Sequence, residues 1–251
     1  MPGRADDYAQ ASIAALPVSR PSPIWFGSRA ILALSAALAA GCSTPFHVSD
    51  AHVTATPRSS SLDVTVLACE PVATLGLAVP PGIHGLSPTV SHALTTALSE
   101  GSPPIRGVPM PETVNRLNNR GLTGEYAEML SGFGRSGILE RKRLRRIGAA
   151  LGSRYVLQPG LAEFSQTLVD QFEVAGLKIV RTRLSTLRLW LQLWDAQTGH
   201  LLWESTGEVT VAAAVVRQDS TVSLDVIAQK LWSRMIKDDL LGGKSGSWRC
   251  P

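Results

Sequence analysis

The chain has 251 residues, with 24 lysines and arginines against 20 aspartates and glutamates and a formal net charge of +4. So mild a balance excludes the charge density of a nucleic-acid binder, and the length is enough for one domain with a real core. The three cysteines form no Cys-x-x-Cys pair, which excludes the usual zinc and dithiol redox arrangements.

The chain opens with a mixed segment carrying Arg20 and Arg29, then an uncharged apolar run from Ala30 to Ala40, then Gly41 and Cys42. A positive flank, a short apolar core and a small-residue exit define a secretory signal. The run is too short to span a bilayer, which takes about 20 residues. The polar sequence before Arg29 is long for a signal and points to a downstream start such as Val18. Leu38-Ala39-Ala40-Gly41-Cys42 resembles the bacterial lipobox, with Ala39 where Leu is commoner. That resemblance implies cleavage between Gly41 and Cys42, a diacylglycerol thioether on Cys42 and acylation, typically by palmitate, of the new amino terminus. Ser43 in place of Asp resembles the pattern sorted to the outer membrane. The expected location is therefore the periplasmic face of the cell outer membrane, with the lipid as the membrane contact. Removing residues 1–41 takes three arginines and two aspartates, leaving 210 residues with a net charge of +3.

With Cys42 consumed by lipid, Cys69 and Cys250 remain. In an oxidising compartment they can pair and staple the tail to the fold. The alternative is two separate thiols, one buried and one in the tail.

Residues 42–60 are rich in Ser, Thr, Pro and Ala without an apolar period, and read as a lipidated tether. The folded domain is expected over 61–241. Its first strand is expected at 62–68, where β-branched residues alternate, and a second extended piece at 74–79 before Pro80-Pro81-Gly82. Ser87-Pro88 opens a helix in which Ser87 caps and Val90, Leu94 and Leu98 share a face. Residues 103–108 form an extended link. Pro111 starts a helix with Val114 and Leu117 inward, and Thr123 starts another through Tyr126, Met129 and Leu130 that Gly132, Gly134 and Gly137 should break. Ile138 to Leu151 reads as a strong helix stopped by Gly152.

The last third reads as sheet. Tyr155-Val156-Leu157 leads through Pro159-Gly160 to Phe164, and 172–180 is a weaker strand. In 187–194 the residues Leu187, Leu189, Leu191 and Leu193 alternate with Arg188, Trp190, Gln192 and Trp194. Asp195 to Gly199 is turn chemistry, and His200 to Glu204 returns as the partner strand, with 206–216 continuing extended. Ser223 caps a final helix bearing Val226, Ile227, Leu231 and Met235 on one side. Residues 242–251 are polar and glycine-rich and are expected to form a flexible tail. This order gives an α+β domain, a mixed sheet with helices packed on one side.

The passage Leu151-Gly152-Ser153-Arg154-Tyr155-Val156-Leu157-Gln158-Pro159-Gly160 and the hairpin Leu189 to Trp203, with its Thr198-Gly199 turn, resemble the curli-secretion lipoprotein (CsgG) superfamily. That superfamily includes LpoB and the amino-terminal domain of TolB, and the resemblance covers roughly residues 62–240. It implies an anticodon-binding-like fold and the envelope compartment. Channel activity would need two spanning hairpins with apolar lipid faces, of about 9–11 residues per strand. The segment between Phe164 and Leu187 is charged and irregular, and 206–222 is shorter still.

Enzyme chemistry finds no motif. The histidines His47, His52, His84, His92 and His200 have no metal-ligand spacing, and no cofactor beyond the covalent lipid is expected. Gly132 to Gly137 is glycine-rich but follows a helix and lacks the Lys-Ser/Thr ending of a phosphate loop. Two surfaces stand out instead. Arg141, Arg143, Arg145 and Arg146 form a basic helix face, read either as solvated or as a site for acidic headgroups or an acidic partner. Trp190 and Trp194 lie opposite the leucines, either exposed for a partner or covered by a second layer. Three function classes follow: a non-enzymatic interaction or assembly module of the envelope with a protein partner, a subunit of an oligomeric secretion channel, and an unrecognised periplasmic enzyme. An oligomer is compatible with each of them.

Overall fold

Alternation decides the centre of the sheet. In the computed structural model, which describes residues 46–48, 51–173, 178–214, 223–243 and 250, the leucines at 187, 189, 191 and 193 are at most 1% exposed. They line one face of a long strand, β6 (Lys178–Asp195). Each contributes about 1.5–3 kcal/mol by leaving water. On either side run β5 (Tyr155–Glu173) and β7 (His200–Ala214), both antiparallel to it. Beyond β5 come β3 (Val72–Thr74) and then β4 (Gly107–Val108), both parallel. The far edge of β7 is covered by β1 (Phe46–Val48) and β2 (His52–Ala55). Among the described residues the sheet is mixed and has seven strands.

Among the described residues five α-helices accompany it: α1 (Ser87–Ser99), α2 (Met110–Asn119), α3 (Thr123–Ser136), α4 (Arg141–Leu151) and α5 (Leu224–Arg234), the last continuing as a π-helical turn, Met235–Leu240. The domain is α+β. Its helices do not keep to one side, as expected from the sequence, but form two cores. Val90, Leu94 and Leu98 of α1 and Ile227, Leu231 and Trp232 of α5 pack on the leucine face. The Trp232 indole N–H donates to the Val90 carbonyl at 3.2 Å and ties the two helices together. On the opposite face, Leu117 of α2, Met129 and Phe133 of α3, and Leu144, Ile147 and Leu151 of α4 pack against Val156 and Trp194. Large apolar side chains on both faces of one strand need a layer on each side.

Local chemistry explains the other departures. Residues 62–68 are not a strand: Val64–Ala68 is a 3₁₀ turn. Asp63 accepts from the Thr65 N–H at 3.0 Å, and this side-chain bond outcompetes a β ladder. The tether expected over 42–60 is partly structured, because 46–48 and 52–55 pair with β7. Such pairing removes an open sheet edge. Residues 172–180 are not one strand; β5 ends at Glu173 and β6 begins at Lys178. Helix α3 runs through Gly132 and Gly134 and stops only where Gly137 takes φ +70°. The next helix starts at Arg141, leaving Ile138 64% exposed and Leu139 buried. Val114 and Val226 face solvent, while Leu117, Ile227 and Leu231 are inward as expected and Thr113 takes the place given to Val114. Ser87 and Ser223 make no side-chain cap bond. The proposed start at Val18, the cleavage site Gly41–Cys42 and lipidation of Cys42 lie outside the described residues, as do residues 215–216 of the extended piece and 244–249 of the tail. No described helix is long and apolar enough to cross a membrane.

Candidate interaction surface

The basic helix face is built by α4, whose apolar positions Leu144, Ile147 and Leu151 turn to the second core and leave the arginines outward. Their environments differ. Arg143 bridges Glu128 at 2.7 Å and Glu140 at 2.5 Å. Arg146 bridges Glu125 at 2.5 Å. Arg141 lays its aliphatic stem across Gly199 in the β6–β7 turn, where an added Cβ would come 2.6 Å from its Cγ. Among the described residues, neither Arg141 nor Arg145 makes an ion pair. Two of the four predicted residues are thus neutralised by acids on α3 and on the α4 approach, and two keep their charge available. Exposed pairs of this kind contribute ~0–1 kcal/mol to stability.

The tryptophans do not form an exposed pair. Trp194 is 5% exposed in the second core, its indole N–H donating to Gln192 Oε1 at 3.1 Å. Trp190 is half-buried, its ring 5.7 Å from that of Phe133, and it lines a groove with Pro80 and Pro81. The helices α2–α4 cover this face, which sequence periodicity within one strand cannot reveal.

At the end of β6 the turn residue Asp195 does two things. Its Oδ1 accepts from the backbone N–H groups of Gln197 (2.8 Å) and Thr198 (3.1 Å), closing the hairpin. Its Oδ2 accepts from Nε (3.1 Å) and Nη2 (3.0 Å) of Arg154, the residue just before β5. Burial pushes the carboxyl up, but the Thr198 and Gln197 N–H groups and the Arg154 guanidinium outweigh it and hold Asp195 below the ordinary carboxylate value. Arg154 also lies 5.2 Å over the Tyr155 ring. Sequence reading missed Arg154; the only available signal was its place one residue before a strand whose partner ends in Asp195.

Cys69 and Cys250 are joined by a disulfide, with Cα atoms 5.4 Å apart. The end of the tail is therefore covalently held to the segment before β3. Among the described residues no group of three or more His, Cys, Asp or Glu is placed to hold a metal ion.

No family model and no curated protein matches the chain, so the likeness to the curli-secretion superfamily rests on the two sequence passages that carry it. Among solved structures, the PelC dodecamer from Paraburkholderia phytofirmans is similar at 15% identity, covering 74% of this chain and 95% of its own, with a TM-score of 0.42. The lipoprotein GNA1162 from Neisseria meningitidis is similar at 14% identity, covering 70% and 99%, with a TM-score of 0.41. At these scores the likenesses assign neither family nor function.

Proposed function

We propose that this chain is a lipid-anchored, non-enzymatic interaction module on the periplasmic face of the outer membrane. The observation that carries the reading is the use of the cysteines. Cys42 sits directly after an uncharged apolar run in a lipobox-like sequence, and the other two are bonded to each other. Structural disulfides persist in oxidising compartments, which is where a lipobox would deliver the domain. Arg141 and Arg145, which make no ion pair among the described residues, supply charge for an acidic partner or headgroup. The test is fractionation of cells expressing the wild type and Cys42→Ala. The wild type should co-sediment with outer membranes and incorporate labelled palmitate; the variant should do neither. Equal membrane association and labelling of both would overturn the reading.

A second reading, a subunit of an oligomeric secretion channel, draws on the β5–β6 hairpin. Residues 165–173 and 178–186 match the ~9–11 residues of a spanning strand in length. Exposed Ser165, Gln166 and Thr167 lie on both faces of β5 and interrupt the apolar band that lipid requires. The mass of the protein in mild detergent separates the readings: a large ring favours the channel, a monomer or small oligomer the module.

A further inference from the structure

Where the carboxy-terminal end of α4 meets the β6–β7 turn, a cavity of about 710 Å³ opens between Arg145 and Arg154. We propose that this cavity binds a small organic anion, a polycarboxylate or phosphate ester, between the two guanidinium groups.

Four observations carry the inference. The first is that Arg154 is fixed before any ligand arrives. Its Nε and Nη2 are held by Asp195 Oδ2, and its guanidinium lies over Tyr155. A guanidinium has five N–H donors in a rigid fork, so this arrangement orients the Nη1 edge while leaving it unused. The second is that Arg145 makes no ion pair among the described residues, in contrast to Arg143 and Arg146 two positions before and one after it. The third is that Ser153, which lines the cavity, keeps a buried hydroxyl with no hydrogen-bond partner. Buried hydroxyls are ordinarily paired. The fourth concerns the helix end. The carboxy terminus of a helix carries partial negative charge, which would repel an anion. Here Arg116 donates to the Leu151 carbonyl and Arg120 to the Ala149 carbonyl at 3.5 Å, so two of the terminal carbonyls are engaged by cations.

Size selects the ligand class. Ligand sites commonly enclose about 300–1,000 Å³, so the volume suits a molecule with an anionic head rather than a bare halide. Glu70 lines the same cavity with the opposite sign. It limits the charge the site tolerates and provides a control of opposite direction: removing it should help an anion.

The inference goes beyond the anchored-module reading and does not depend on Cys42; membrane association is read by fractionation, whereas this site is read by binding. The experiment is titration calorimetry on the full-length protein in mild detergent, with citrate and glycerol phosphate as probes. At least one probe should bind saturably, and the tighter of the two assigns carboxylate or phosphate. Arg145→Gln should weaken binding about tenfold or more, Arg145→Lys should recover part of the loss, and Glu70→Gln should tighten it. Arg145 is exposed, so its variants should keep the wild-type circular dichroism spectrum and melting temperature. Absence of saturable binding by both probes would overturn the proposal, and so would binding indifferent to Arg145→Gln in a folded variant.

Discussion

The indole of Trp190 rests against the α-carbon of Gly160, its directly paired neighbour on β5. A Cβ on Gly160 would fall 1.9 Å from Trp190 Cε2. The contact lets the ring tuck beneath Phe133 instead of standing away from the sheet. Gly160→Ala should therefore destabilise the domain by about 1–3 kcal/mol through overpacking. In a Trp190→Ala background the same substitution should be nearly neutral. Urea titration of the four proteins of this cycle checks the claim; an equal effect of Gly160→Ala in both backgrounds contradicts it.

Asp195 links hairpin and helix end, and its titration gives a pH signature. Its folded pKa lies below its unfolded value of about 3.9. The stabilisation is thus complete above that unfolded value and is lost as pH falls through the folded one. Asp195→Asn should lower stability at pH 7 by about 1–3 kcal/mol. The gap between variant and wild type should narrow as the pH falls below about 4. Denaturant midpoints at pH 7 and pH 3 measure it, and a gap that stays constant would contradict the role assigned to the carboxylate.

The Cys69–Cys250 bridge closes a loop with a sequence separation of 181. On the chain-entropy model a loop of that length stabilises by about 5 kcal/mol at most, and typical bridges contribute ~2–4. Reduction should lower the melting temperature by roughly 10 °C, and Cys250→Ser should melt like the reduced wild type and be insensitive to reductant. Thiol titration of the unreduced, denatured protein should find neither of these cysteines free. Finding both free would contradict the bridge.

On the basic face, charge pairing divides the four arginines. Neutralising Arg141 and Arg145 should weaken binding of the lipid-free chain to anionic vesicles more than neutralising Arg143 and Arg146, which face Glu128, Glu140 and Glu125. Sedimentation with vesicles of mixed zwitterionic and anionic lipid reads the difference. Equal and unchanged binding in both double variants would assign the face to solvent.

What the sequence made legible was whatever a single period or a local turn decides. The leucine alternation of β6, the Asp195–Gly199 turn and the amphipathic run of α4 are each visible within ten or so consecutive residues, and the structure places them as read except that α4 begins at Arg141 rather than Ile138. The misreadings share a different cause. Whether 62–68 becomes a strand depends on whether Asp63 captures the Thr65 N–H. Whether 52–55 is a tether depends on an edge offered by β7 more than a hundred residues later. The covered state of Trp194 depends on α2–α4 crossing that face, and the Arg154–Asp195 pair on the register of β5 against β6. Each is a long-range or competing-bond decision that composition and spacing do not encode.

The central claim is the anchor, and the intact mass of the protein extracted from membranes tests it most directly. The account predicts a chain that begins at Cys42, carries a diacylglyceryl group and an amide-linked acyl chain, and is two hydrogens lighter than its reduced form through the Cys69–Cys250 bond. A chain retaining residues before Cys42, with that cysteine unmodified, would contradict it.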